Sequence, residues 1–218
     1  MIAKFGKNVM LLIVACCMFS CNQPNAVSSA DNSLPAPQIK GGKPLMLALR
    51  DRRTSRDFSE KELSIQQLSN LLWAANGINR PNEKKHTAPT ARNKQEMEIY
   101  VAMKSGVYFF DSDKQSLTKL NEVDIRSQIG SQDFHKVAPV SLILVADLDK
   151  VYGSDTTKSD YDAIDAGYIS QNIYLYCASE DLATVAVASV DSKAIANFLN
   201  LNSRKKIILA HPVGFKKE

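Results

Sequence analysis

Apolar positions along the chain follow a helical period first and a strand period later. From Lys43, the spacing of Leu45, Leu49 and their neighbours predicts a helix that runs into a basic cluster at 50–56. Ser64 reads as an N-cap, followed by Ile65, Leu68, Leu71 and Leu72 at helical spacing, with Gly77 ending the helix. After a polar loop through Arg92, residues 97–103 and 107–111 predict the two arms of a hairpin turned by Lys104-Ser105-Gly106. Residues 140–146 form a continuous β-branched apolar run, the pattern of a strand covered on both faces. Residues 163–178 predict a long apolar helix containing Gly167, with the run 184–190 directly after it. Asp191 caps a short helix to 199, and 206–213 closes the chain as a last strand. Helices and strands interleave without an internal repeat, so the expectation is one α+β or α/β domain whose sheet lies between helices.

Composition narrows this only modestly. The 218 residues are 44% hydrophobic and 23% charged, enough for one domain with a sizeable core and incompatible with wholesale disorder. A net charge of +4 is too small to point to nucleic acid or a polybasic membrane surface. Cys16, Cys17 and Cys21 crowd the N-terminus and Cys177 alone lies in the body, which excludes an intramolecular disulfide framework, a zinc cluster or a Cys-x-x-Cys pair. Cys177 sits in an apolar helical stretch and reads as a small buried hydrophobe rather than a nucleophile.

Residues 1–20 read as a signal peptide, with Lys4 and Lys7 before an apolar run at 9–19 that is too short to span about 30 Å of hydrocarbon. Ser20 before Cys21, followed by a polar tract, resembles a bacterial lipoprotein signal in which Cys21 is acylated; Ile13-Val14-Ala15-Cys16 is a second match to the same box. The resemblance implies a flexible tether at 21–40, a folded domain at 41–218, and a protein anchored by lipid to the membrane in the cell envelope, on the periplasmic side or at the outer membrane.

The chain contains no Gly-x-Ser-x-Gly, no His-Glu-x-x-His, no phosphate loop and no Rossmann glycine triplet. His86, His135 and His211 lack a metal-binding pattern and read as surface or satisfied core histidines. The dense feature is Arg50-Asp51-Arg52-Arg53-Thr54-Ser55-Arg56-Asp57-Phe58, whose guanidinium forks and hydroxyls suit the oxygens of a phosphomonoester. On its own, such a charge run equally describes a solvated face.

Residues 52–58 resemble the Arg-Arg-Ser-x-Arg-x-Phe opening of nitroreductase-like flavoproteins, and three further segments keep the same order. Ala88-Pro89-Thr90-Ala91-Arg92-Asn93-Lys94-Gln95 is similar to the family's Pro-Ser-x-x-Asn-x-Gln stretch, residues 165–175 to its long central helix, and His211-Pro212-Val213-Gly214 to its closing strand. The resemblance implies a three-layer α/β/α form of the α+β class, with a mostly antiparallel central sheet and the long helix at a homodimer interface. It implies FMN as cofactor, with Arg52, Arg53, Thr54 and Arg56 on the phosphate and ribityl chain, Asn93 on the flavin ring, and Gln95 beside it. The Gly106-Val107-Tyr108-Phe109-Phe110 hairpin and Asp124-Ile125-Arg126 look most like the branch that contains azoline-oxidising dehydrogenases.

Two departures accompany these matches. Ala188 and Ser189 stand where the family usually places glycine near the flavin N5, so backbone donors remain but Cβ atoms narrow the approach. The basic pair that completes the phosphate site beyond the last strand is replaced by Lys216-Lys217-Glu218, with Lys216 as the substitute. The implied activity is transfer of hydride or electrons from NAD(P)H or another donor through FMN to a small organic acceptor, with the chemistry on the cofactor and no catalytic side chain required. The alternative is a non-catalytic flavin-binding or partner-binding envelope lipoprotein.

Overall fold

A computed structural model describes Met1 and residues 33–154 and 157–217. The expected signal peptide, Cys21 and the first part of the tether lie outside the described residues. Helix α1 is Leu45–Asp51 and α2 is Ile65–Asn76. Ser64 opens α2 with a reciprocal capping box: its hydroxyl accepts from the Gln67 N–H, and the Gln67 side chain accepts from the Ser64 N–H at 3.0 Å. Two otherwise orphaned amides are thereby satisfied. A small hairpin of β1 (Ile78–Arg80) and β2 (Lys85–His86) follows.

The main sheet contains β3 (Met97–Met103), β4 (Gly106–Asp111), β5 (Ser116–Asn121), β6 (Val140–Asp147), β7 (Leu182–Thr184) and β8 (Lys205–Phe215). Its order is β5-β4-β3-β6-β8-β7 and every neighbouring pair is antiparallel. Helices α3 (Phe134–Val137), α4 (Lys158–Ser179) and α5 (Ser192–Phe198) complete the chain. The expected α+β architecture, with an antiparallel sheet between helices, is what the chain forms.

All eight residues of β6 are buried, as its unbroken apolar run predicts. Alternate side chains serve two cores. Leu142, Leu144 and Ala146 join Leu71 and Leu72 of α2 and Ile169 and Ile173 of α4, whereas Ile143 and Val145 meet Ile125, Ile129 and Ile195 on the other face. Asp191 caps α5 by accepting from the Ala194 N–H at 2.9 Å, as its position suggests. Gly214 is required by space, because a Cβ there would stand 2.5 Å from Pro139 Cδ.

One expectation changes, and two segments take a form that the sequence reading did not assign. The run 184–190 is not one strand: pairing with β8 stops at Thr184, and the chain leaves the sheet until an isolated bridge from Val187 to Ala210. The cause is Tyr174 of α4, whose hydroxyl accepts the Ala186 N–H at 2.9 Å and takes the place of a strand partner. Strand β5 carries no periodic signal because Leu117 is its one buried side chain. The described part of the tether is docked rather than free: Leu34 is buried, its N–H donates to Gln115 O at 2.9 Å, and Gln38 N donates to Asn70 Oδ1 at 2.8 Å. The exposed backbone beside β5 offers partners that a polar composition does not advertise.

Leu144→Ala should lower unfolding free energy by about 2–5 kcal/mol, since β6 is clamped between two cores and cannot collapse into the cavity. Urea denaturation of the two proteins measures this, and a loss below about 1 kcal/mol would contradict the two-sided packing.

Candidate functional site

The end of α1, the strap that follows it, the C-terminal half of α4 and the end of β8 enclose a cavity of about 370 Å³. Its wall includes Arg50, Arg52, Arg53, Ser55, Tyr174, Asp181 and Lys216. The charges divide into neutralised and surplus groups. Arg50 Nε lies 2.9 Å from Asp51, and Lys43 lies 2.6 Å from Asp181, holding both carboxyls below their ordinary range. Lys216 reaches Asp181 only at 3.7 Å, and among the described residues neither Arg52 nor Arg53 has a carboxylate at ion-pair distance. Three cations around one concavity, with the nearby carboxylates already engaged by Arg50 and Lys43, leave it with a surplus of positive charge.

Tyr174 organises this wall. The Arg52 guanidinium carbon stands 5.2 Å from the centre of its ring, and its hydroxyl shares a hydrogen bond with Thr54 Oγ1 at 3.0 Å. The ring meets His211 edge-on at 5.2 Å. His211 is fully buried but satisfied, with Nε2 2.8 Å from Ser170 Oγ and Nδ1 3.1 Å from Thr184 Oγ1. Thr184 in turn accepts the Ser55 N–H through its carbonyl at 3.0 Å, which pins the strap to β7. Burial drives the His211 pKa down to about 3 and the Cys177 thiol well above its ordinary value, so Cys177 is the inert buried group its sequence setting suggests.

Ala188 and Ser189 lie elsewhere. Both are exposed, and Ser189 lines a second cavity of about 480 Å³ with Ser127, Gln128, Gly130 and Asp191. Gln132 Nε2 donates to Ser189 Oγ at 3.3 Å. His135 behind it is fully buried with neither ring nitrogen partnered among the described residues, a departure from the expected satisfied histidine. Asp124 and Arg126, quoted above for their likeness to the azoline branch, form a brace: Arg126 Nη2 lies 2.7 Å from Asp124 and Nη1 donates to Ala138 O at 2.9 Å.

Asn93 ends the 3-10 turn Ala91–Asn93, where Arg92 (φ 56°), Asn93 (φ 54°) and then Gln95 (φ 51°) all take left-handed backbone. Such a concentration in non-glycine residues is strained, and surrounding contacts must hold it. Asp165 of α4 accepts the Ala91 N–H at 2.9 Å, Thr90 Oγ1 accepts the Gln95 N–H at 2.9 Å, and the Gln95 amide donates to Lys84 O at 2.6 Å. The Gln95 side chain thus supports the turn, and Asn93 is exposed.

The structure therefore gathers Arg52, Arg53 and Lys216 at one cavity and leaves Asn93 and Ser189 at two other places in the single chain. Thr54 turns to Tyr174 and Arg56 is exposed outside the cavity lining. Ser55, not Thr54, is the hydroxyl residue that the strap contributes to the lining. Ser55 and Tyr174 were missed by sequence reasoning; an adjacent serine and a tyrosine on an otherwise apolar helix face were the available signals.

Comparison with known proteins agrees with this geometry. A family model described as the Nitroreductase family matches residues 49–215. A candidate nitroreductase of Methanocaldococcus jannaschii is 28% identical over 180 residues, covering 77% of this chain and 88% of its own. The crystal structure of a candidate nitroreductase from Ralstonia eutropha JMP134 superposes with a TM-score of 0.82 at 33% identity, covering 88% of this chain and 93% of that one. A Desulfovibrio desulfuricans candidate nitroreductase, solved in complex with FMN, shares the fold at a TM-score of 0.60 and 17% identity, covering 81% of this chain and 88% of that one.

Because His211 binds a proton less readily folded than unfolded, its contribution is full above about pH 6.5 and is lost as pH falls towards 3. The pH dependence of unfolding free energy in that window should be shallower by up to about 1.4 kcal/mol per pH unit in His211→Asn, the remaining slope including the half-buried His86 and the buried His135. An unchanged slope would contradict a neutral buried His211.

Proposed function

The chain belongs to the nitroreductase family, and from that membership we propose that it is an FMN-dependent oxidoreductase carrying hydride or electrons from NADH, NADPH or another donor to a small organic acceptor. The observation that carries the reading is the surplus of positive charge at the 370 Å³ cavity, where Arg52, Arg53 and Lys216 converge beside Ser55. A phosphomonoester fits this donor set: two guanidinium forks, an ammonium and a hydroxyl around one concavity. Bound FMN would supply the redox chemistry itself. The chain's residues bind and orient: Arg52, Arg53, Ser55 and Lys216 would hold the phosphate, Asn93 the pyrimidine edge, and Ser189 or its amide the neighbourhood of the reactive edge.

These groups are separate in one chain, which supports a homodimer in which a second copy completes each site. Leu45, Met46, Leu47 and Leu49 of α1 are 63%, 74%, 39% and 44% exposed, and Ile164 and Tyr168 of α4 are 49% and 47% exposed. Helices α1 and α4 pack together, so these side chains supply an apolar surface suited to a self-complementary interface. The same reading places the protein in the cell envelope through an acylated Cys21, supported by the basic, apolar and Ser20-Cys21 sequence of the N-terminus. Nicotinamide nucleotides are scarce there, which favours a membrane quinol or a protein as the physiological donor.

A second reading, a flavin-binding lipoprotein without turnover, is favoured by the side chains of Ala188 and Ser189 where backbone access is wanted. Reduction of the bound flavin by dithionite but by no nicotinamide, quinol or protein donor would select it.

The purified protein reconstituted with FMN should show flavin absorbance, and Arg52→Ala should weaken FMN binding by about 10- to 100-fold, the worth of a hydrogen bond between charged groups. Full flavin occupancy in the variant would remove Arg52 from the phosphate site. A wild-type protein that takes up no FMN would overturn the cofactor reading.

A further inference from the structure

Glu96 opens the segment leading into β3, three residues after Asn93. It is 1% exposed, and neither of its carboxylate oxygens has a hydrogen-bond partner among the described residues. The charged groups that face it from α4 are also carboxylates, Asp165 and Asp162, which are 2% and 0% exposed. From β8, Lys206 lies 2.9 Å from Asp162 and balances that charge. From α2 the nearby polar group is the neutral Asn76, whose Nδ2 reaches Met97 O at 3.4 Å. Asp165 is left with one demand on it, the Ala91 N–H at 2.9 Å that begins the Asn93 turn.

Two neighbouring buried carboxyls repel when both are ionised, and Lys206, the lysine described beside them, lies against a third carboxyl. Asp165 Oδ2 already accepts a backbone N–H at the strained turn. No donor reaches either Glu96 oxygen among the described residues, so Glu96 is the carboxyl that gains most from holding a proton, with Asp165 the neighbour able to accept from it. Burial first, and then the neighbouring carboxyls, raise the Glu96 pKa to about 8.

We propose that Glu96 and Asp165 share one proton and act together as positioning residues for the Ala91–Asn93 turn, holding the Asn93 amide in place for the flavin. The proposal rests on the FMN reading above. Loss of the proton to solvent sets two carboxylates against each other, withdraws Asp165 from Ala91 and lets Arg92 and Asn93 relax from left-handed backbone. The turn is then ordered on the acid side of the transition and loosened on the alkaline side.

The test follows the Ala91 amide of the full chain, labelled with 15N-alanine, from pH 6 to 9.5, with FMN affinity measured by flavin fluorescence at both ends. The Ala91 signal is expected to titrate with a midpoint near 8, and FMN affinity to fall about tenfold across it, the equivalent of one charge-assisted hydrogen bond. In Glu96→Gln, which keeps the volume but has no proton to lose, both should be flat to within about twofold. A flat Ala91 signal in the wild type overturns the proposal, as does an Ala91 transition that leaves affinity unchanged. Should Glu96→Gln fail to fold, Asp165→Asn supplies the second test: the Ala91 transition near 8 should vanish, and its persistence overturns the shared proton. Absence of FMN binding at every pH, with Ala91 still titrating and the variant flat, overturns the flavin reading and supports the shared proton on its own.

Discussion

The cationic cavity depends on Tyr174. Its ring supports the Arg52 guanidinium on one side and packs against His211 on another, while its hydroxyl accepts Ala186 N–H and shares a hydrogen bond with Thr54. One side chain of α4 therefore joins the strap after α1, the segment after β7 and the last strand. Each of those joints is modest alone, but they share an anchor. The arginines are exposed or half-buried and could not hold a fixed geometry by their own packing. Rigid support under flexible charged side chains is what gives a basic surface run a fixed cationic geometry.

Much of the fold was legible because its strongest determinants are local or periodic. Ser64 and Gln67 announce the start of α2, Asp191 that of α5, and the unbroken run at 140–146 can only be a strand with cover on both faces. What escaped has a different cause in each case. Strand β5 is an edge with one buried residue, so no alternation exists to read. Residues 184–190 carry a strand-like composition, but a tyrosine from another element captures the amide of Ala186. Leu34 is a single apolar side chain in a polar tract, and its burial beside β5 is a tertiary event without a sequence signature.

The candidate site shows the same division. Arg52 and Arg53 are visible as a motif and line the cavity. A motif matched on residue type favours Thr54 as the hydroxyl donor, yet the backbone turns Thr54 towards Tyr174 and Ser55 into the lining. Lys216 is legible only by elimination, as a cation after the last strand, and its place follows from the bridge between Phe58 and Lys216 that closes the strap over the end of β8. Asn93 carries the right chemistry for an amide contact, but nothing in its sequence neighbourhood reveals the Asp165 carboxylate that fixes its turn from 74 positions away.

The buried polar groups sort by whether the fold or the site has use for them. His211 is fully buried on β8, and both its nitrogens are met by hydroxyls of Ser170 and Thr184, so its burial costs little and its neutral form is simply structural. Glu96 and His135 are equally buried: among the described residues no donor reaches Glu96, whose acidic neighbour is Asp165, and neither His135 ring nitrogen is met. Both stand behind exposed segments that the family resemblance ties to the flavin, Glu96 behind Asn93 and His135 behind Gln132 and Ser189. Leaving such groups without partners in a core of ordinary quality opposes stability by about 1–3 kcal/mol each, and an apolar residue of similar size would relieve that at either position. Ser141 of β6 and Asn76 of α2 also carry an unpartnered buried oxygen among the described residues, so the sheet tolerates such groups elsewhere, and what sets Glu96 apart is the strained Ala91–Asn93 turn beside it.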